Sequence, residues 1–557
     1  MNRNLKILFV ITTLFLVLCF AISVYAVPSK KGITLPSTTT TETTSEETTE
    51  TTTEETTEQT TEKATVRETT TQMTTVSFSL PNTDANGNPY TGANLEAYNI
   101  AAKTFKDKWT AITDPEIVEK VDYSDDTYSV KSKTFLFTNS RFVIKRYNFA
   151  NTVTEGDTVK RLNQNINIEG STIEIRYLDP DTSQWYMSSN VENTKKQTLF
   201  IDTDKEHYIL SVPAVYTNKF ENNTLEYRPE YEQKVDITKT ETGYSLNFSF
   251  PIDSGVIGEI WYVSSPEALA DWNNSTHFDT LKQDLAISRR FSWDGYYFPT
   301  PSNYTPYSET MLYRHPSDYA GSSFARYGSF PAAFDLGYVF VYTCMQNQND
   351  KNYWYTGPKS GWLATDFSIG ANFYDTRFNT DFAESLIYAY KRYNNDKFLF
   401  AATKYCEYFI EHANTRSYAT PNGGILVQDY DYDYNHIDTH CSLNHQLAEL
   451  NFLYTMYNLT REEKYKTYAD KMLKGIEDTQ NQWVLEDNNL NYALYYTGTT
   501  NTMVDYPYLT YNDLLNTKVL YKQIYGKENA TIEYLIKCKK TWMDNNSIVG
   551  YNTIEEQ

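Results

Sequence analysis

The apolar pattern of the C-terminal half repeats, and that repeat restricts the fold more than any other feature of the chain. Phe398, Ala401, Ala402, Tyr405, Cys406, Phe409 and Ile410 recur at helical spacing and form one continuous stripe. Tyr465, Tyr468, Ala469, Met472, Leu473 and Ile476 repeat it almost position for position, and Tyr534, Cys538, Thr541 and Trp542 form a weaker copy. Each stripe follows another apolar helix and a short polar turn, whose tyrosines Tyr393, Tyr457 and Tyr525 lie 64 and 68 residues apart. Helical hairpins separated by long loops predict an α/α toroid, or a partial barrel of hairpins. A tetratricopeptide array would repeat at about 34 residues without the long loops.

The hairpins also place the loops. With the short turns at one end, the connectors 413–440 and 479–506 and the lead-in 350–380 gather at the other. Loops on a rigid scaffold are where function concentrates, so the site is expected there.

Ahead of the helices the period changes from 3.6 to 2. Alternating runs fall at Thr134–Phe137, Arg141–Tyr147, Ser171–Tyr177, Thr198–Ile201, Tyr208–Val212, Lys234–Ile237, Tyr244–Phe250 and Gly258–Val263. They predict a β-sandwich or barrel-like domain over 77–275, preceded by a helix around Asn94–Trp109. Ser265-Pro266 reads as a capped helix start, and 276–557 as the helical domain.

The first 26 residues read as an export signal. Arg3 and Lys6 precede the apolar run Ile7–Ile22, with Val24 and Ala26 in a small-residue cleavage pattern. Residues 27–76 read as a disordered linker, because 37–75 hold 21 Thr and 9 Glu and have nothing to bury. The expected location is therefore extracellular, secreted or at the cell surface, with the membrane met only through the export signal. The formal net charge of −22 excludes a basic nucleic-acid face, and the linker accounts for only a minor part of it. Forty-nine tyrosines favour polar ligands such as glycans, or simply a tyrosine-filled core. Of the four cysteines beyond the signal none forms a CxxC pair; isolated buried thiols fit their apolar helix faces better than disulfides. Oligomeric state stays open, a homodimer included.

The connector 413–440 carries Asp429-Tyr-Asp-Tyr-Asp-Tyr-Asn-His-Ile-Asp-Thr-His440. His436 and His440 with Asp429, Asp431 and Asp433 are metal donors by type, but neither an EF-hand loop nor HExxH is present, so no metal and no cofactor is assigned. The other readings are a solvated acidic loop and a catalytic carboxylate or tyrosine.

Three stretches together resemble the C-terminal catalytic domain of D-glucuronyl C5-epimerase, over about 380–545. They are Asp433-Tyr434 leading to Leu443-Asn444, Tyr492-Ala493-Leu494, and Asp505-Tyr506 leading to Asn512 and Leu514. The resemblance implies active-site roles for Tyr434, Tyr492 and Tyr506, converging in one cleft, and for Asp433 where the family has Glu. Asn444 and Asp505 belong to the same motifs and are expected at the substrate. The implied reaction is abstraction of the C5 proton of a uronate in a polysaccharide, which needs a base, an acid and groups that stabilise an enediolate. Where the family has an Arg, this chain has Tyr495, so replacement cations are sought at Lys359 and Arg377, and a sugar-stacking ring at Trp362. Alternatives on the same scaffold are a polysaccharide lyase, a glycoside hydrolase with paired carboxylates such as Asp433 and Glu486, or a non-catalytic glycan binder.

Overall fold

The computed structural model describes residues 114–552 apart from 180–181, 183, 192–193, 218–222, 285–289 and 499–503. The export signal, the Thr/Glu-rich linker and the helix expected at Asn94–Trp109 lie outside the described residues. Within them, a sheet-rich region is followed by a helical one.

The sheet region has two layers. A thirteen-stranded sheet is built around the long strand Val256–Ser265, whose neighbours are Arg141–Phe149, His207–Leu210 and Ala214–Thr217. A three-stranded sheet of Asp236–Lys239, Gly243–Pro251 and Arg161–Glu169 lies over one face. Tyr147, Ile175, Leu210, Val215, Leu246, Phe250 and Ile260 fill the space between, so the architecture is a sandwich and not a barrel. Gly258 is required there, since a Cβ would stand 2.5 Å from the Phe250 ring. Strand Val256–Ser265 is buried on both faces, and its other side rests on helices through Trp261 and Val263 against Phe340.

Two sequence expectations change here. The sheet runs past residue 275, because Arg290–Ser292, Gly295–Pro299 and Met311–Arg314 extend its edge. Ser265-Pro266 starts no helix. Ser265 Oγ accepts the Glu267 N–H at 2.9 Å and donates to the Asn139 carbonyl at 3.0 Å, which closes a local turn; the helix begins at Ser275.

Four helical hairpins follow: α1 (Tyr319–Tyr327) with α2 (Pro331–Met345), α3 (Thr376–Tyr393) with α4 (Asp396–Thr415), α5 (Leu443–Thr460) with α6 (Glu463–Asp478), and α7 (Leu509–Tyr525) with α8 (Ala530–Asn545). The three later hairpins match the sequence repeat. Asn394, Arg461 and Gly526 occupy the left-handed region after α3, α5 and α7, so one turn geometry recurs with three different residues. Helices α1, α3, α5 and α7 stand side by side in an arc, each backed by its partner. Helix α5, between neighbours, is buried on nearly every face. The arc is what the structure shows of the expected toroid. Among the described residues no helix is long and apolar enough to cross a membrane. Cys344, Cys406, Cys441 and Cys538 are buried free thiols.

The Gly423-Gly424 pair of the first connector has a packing reason. The hairpin Ser417–Ala419/Ile425–Val427 lies directly on α6, where a Cβ on Gly475 would meet the Ile425 carbonyl oxygen at 2.1 Å and one on Gly424 the Gly475 nitrogen at 2.2 Å. Gly475→Ala is therefore expected to destabilise the protein by about 1–3 kcal/mol, read as a lowered melting temperature, since backbone on both sides has to shift.

Candidate functional site

The connectors do meet at the open end of the hairpins, tied by two short antiparallel ladders. Tyr374–Asp375 pairs with Tyr430–Asp431, and Cys441–Ser442 with Ala493–Leu494. The Asp429 carbonyl accepts the Thr376 N–H at 3.0 Å, and the Tyr492 carbonyl accepts that of Leu443 at 3.0 Å. These contacts pin the first turns of α3 and α5 to the loops, so the side chains at both helix starts are held by backbone.

Asp375 is the N-cap of α3, its Oδ1 accepting the Phe378 N–H at 2.9 Å. Next to it lies Asp429, fully buried, with Oδ1 accepting the Ser442 N–H at 2.9 Å and Oδ2 standing 3.1 Å from His440 Nε2. The two carboxyls are driven apart in acidity. Burial, helped by Asp429 and Asp381, pushes Asp375 up to about 8 against the Phe378 hydrogen bond. Burial also acts on Asp429, but the facing His445 and His440 imidazoles and the Ser442 contact outweigh it and hold this carboxyl below its ordinary value. At neutral pH one is an acid and the other a carboxylate.

Around them is an aromatic enclosure. The His440 ring is caged by Trp362, Phe367, Tyr430, Tyr492 and Tyr496, with centroids 5.5–5.8 Å away. Tyr492 packs against Tyr506 at 5.9 Å, and Tyr304 lies within electrostatic reach of Asp375 and Tyr506. Trp362, Tyr304 and Tyr506 are partly exposed and form the rim of this enclosure. Beneath it, Thr376 Oγ1 and His445 Nδ1 share a hydrogen bond of 2.7 Å.

The residues singled out from sequence divide into groups. Tyr492 and Tyr506 come together. Burial pushes Tyr492 well above the ordinary phenol value and Tyr506 up to about 12, so both are neutral hydroxyls at pH 7, not bases. Tyr434 does not join them: it is 71% exposed, and among the described residues its ring meets only Tyr432, at 5.1 Å. The connector leaves the ladder after Asp431 and turns to solvent, where Asp433 pairs with Lys351 at 2.5 Å. Arg377 is buried, but Nε binds Asp381 at 2.9 Å while Nη1 binds Asp513 at 2.6 Å and the Asn444 carbonyl at 2.8 Å. It joins α3, α5 and α7, and its charge reaches Tyr506, opposing the rise that burial gives that phenol. Lys359 is exposed on the strand that pairs with Tyr304–Thr305. Trp362 does line the cage, its Nε1 donating to Asp366 at 2.9 Å. Asn444 is buried at the start of α5. Asp505 is locked to Lys539, whose Nζ stands 2.5 Å from it and also donates to Asn489 Oδ1 and the Tyr506 carbonyl, each at 2.7 Å. This buried clamp holds Tyr506 in place. Among the described residues no cluster suited to a metal ion exists; His436 is drawn to Asp431 and His440 to Asp429, in different directions.

Asp375 and His440 were not selected from sequence for catalysis, and the acid-tyrosine run pointed to its far end and not to Asp429. The signal for Asp375 was its position before Thr-Arg-Phe and a helical stripe, the pattern of an N-cap.

The sequence matches no protein-family model and no curated protein. Among solved structures it is similar to a family 76 glycoside hydrolase from a bovine Bacteroides thetaiotaomicron strain, at 13% identity over 77% of this chain and 78% of that one, with a TM-score of 0.35. It is similar too to a sugar epimerase from a ruminal bacterium, at 13% identity over 49% and 69% of the two chains, TM-score 0.35. A D-mannose isomerase matches at 13% identity over 41% and 59%, TM-score 0.31. The chain spans about half (53%) of another similar structure, the Lin0763 protein from Listeria innocua. Those with a printed activity are sugar-processing enzymes; likenesses this loose carry nothing on the reaction of this chain.

Proposed function

We propose that this chain is an exported carbohydrate-active enzyme that cleaves glycosidic bonds of an extracellular polysaccharide. The observation that carries the reading is the Asp375/Asp429 pair: two neighbouring buried carboxyls, one protonated and one ionised at neutral pH, beside a partly exposed rim of Tyr304, Tyr506 and Trp362. Environments that push two titratable groups apart assign the acid and the base. Asp375 is the acid that protonates the leaving oxygen. Asp429 takes the proton of the attacking water as the bond to the anomeric carbon forms. Tyr492 and Tyr506, held neutral, donate hydrogen bonds to the sugar. The Thr/Glu-rich linker spaces the enzyme from the surface it works on.

A C5-epimerase is the second reading, favoured by the packing of Tyr492 on Tyr506 that the sequence resemblance pairs. Against a uronate substrate stands the commitment of Arg377 to Asp381 and Asp513, because an enediolate needs charge-assisted partners. Incubation with a panel of polysaccharides in deuterium oxide separates the two. New reducing ends are expected without deuterium at C5 of intact chains; deuterium uptake without cleavage would establish the epimerase instead.

A further inference from the structure

Tyr495 holds a conformation that a tyrosine resists. It sits at φ +60, immediately after the strand Ala493–Leu494, in the left-handed region where a bulky side chain is a genuine outlier. Strain of this kind persists where the surrounding structure imposes it, and it gathers at ligand sites. What the conformation achieves is a flat aromatic platform: the Tyr495 ring lies on Tyr418 at 4.2 Å and 18°. It is 39% exposed, and no other ring meets it among the described residues.

The platform adjoins the cage through both of its tyrosines. Tyr418 donates its hydroxyl proton to the Thr439 carbonyl at 3.1 Å, one residue from His440. Tyr496, next to Tyr495, has its ring 5.7 Å from His440 and its hydroxyl 2.5 Å from Asp366. The platform and the His440 enclosure therefore share backbone at Thr439-His440 and at Tyr495-Tyr496, which puts an exposed aromatic face next to the site.

We propose that the Tyr418/Tyr495 stack is a second sugar subsite, taking the C–H face of an uncharged pyranose unit of the glycan. An aromatic face carries the negative end of the ring quadrupole and meets weakly positive C–H edges well, whereas a carboxylated unit brings a negative charge to that negative face and stacks less well. This inference rests on the reading of the chain as a glycan-acting enzyme and adds its substrate class, an uncharged polymer bound over at least two units.

The test is binding, measured by titration calorimetry on the full-length chain with cellohexaose, mannohexaose, maltohexaose and a hexameric oligoglucuronan. At least one neutral hexamer is expected to bind. Tyr495→Gly should weaken it at least about tenfold while leaving the melting temperature unchanged or higher, because glycine relieves the left-handed strain. A purely structural tyrosine would not separate the two readouts in this way. Tyr495→Trp should bind like the wild type, and Tyr495→Leu, which keeps apolar bulk without a ring, should lose affinity as Tyr495→Gly does. Calorimetry reads binding and not turnover, so absence of cleavage would remove the hydrolase reading and leave this result standing. Unchanged affinity in Tyr495→Gly, retained affinity in Tyr495→Leu, preference for the oligoglucuronan, or no binding of any neutral hexamer would each overturn the subsite.

Discussion

Asp375→Asn is expected to lower kcat on the cleaved glycan by about 10²–10⁴-fold with the fold intact. Asparagine caps a helix about as well as aspartate, so the bond from the Phe378 N–H to the side chain survives and only the proton to be donated is lost. Asp429→Asn should cost as much from the basic side. The pH profile of the wild type should fall on the alkaline side as Asp375, raised to about 8, gives up its proton, and this limb should vanish in Asp375→Asn. Stability should follow the same group. A carboxyl raised on folding holds a proton that the unfolded chain releases above about pH 4. Its contribution is thus complete below that pH and is lost as pH rises through about 8. Denaturant melts across this window should show a flatter slope in Asp375→Asn than in the wild type; equal slopes would place the shifted proton elsewhere.

Arg377→Met should cost about 3–5 kcal/mol of folding stability, a fall in melting temperature on the order of 10 °C. Among the described residues the guanidinium is the only cation paired with Asp381 and Asp513, and it also carries the α5 end at the Asn444 carbonyl, so its loss strands two buried carboxylates between three helices. Burial already raises both acids, Asp513 to about 6, with Arg377 opposing it. Removing the cation raises them further, so the folded state then keeps protons the unfolded chain releases, and the deficit should grow as pH rises. Urea melts of Arg377→Met at pH 5 and pH 8 test this, the larger deficit being expected at pH 8. Lys359→Met, at an exposed position with no ion pair among the described residues, should melt within about 1 °C of the wild type. Equal effects of the two substitutions would remove the structural role given to Arg377.

The hairpins were legible because an amphipathic helix writes its buried face into the sequence at a period of 3.6. The stripe from Phe398 to Ile410 is buried in the structure as its spacing requires. The strands were legible for the same kind of reason at period 2. The edge of the sheet was less so: Arg290–Ser292, Gly295–Pro299 and Met311–Arg314 are too short to show alternation, and only their long-range partners make them strands. Ser265-Pro266 misled because the hydrogen bond that caps a helix also closes a turn.

The site divides along the same line. Sequence alone determined that the long connectors share one end of the hairpins, since a short turn at one end forces the loops to the other. The resemblance put Tyr434, Tyr492 and Tyr506 in one cleft; Tyr492 and Tyr506 do meet, while Tyr434 turns to solvent. Which acids sit together was decided only in three dimensions. Asp375 and Asp429 are 54 positions apart and meet through a two-residue ladder, which has no period to read. Their separation in acidity comes from burial and from His440 and His445, neither of which acts on its neighbour in sequence. Arg377, a free cation by type, became a structural one because Asp381 and Asp513 close on it from two helices. Local spacing encodes which face of an element is apolar; charge pairing depends on what the folded chain brings opposite, and that is a property of tertiary contacts.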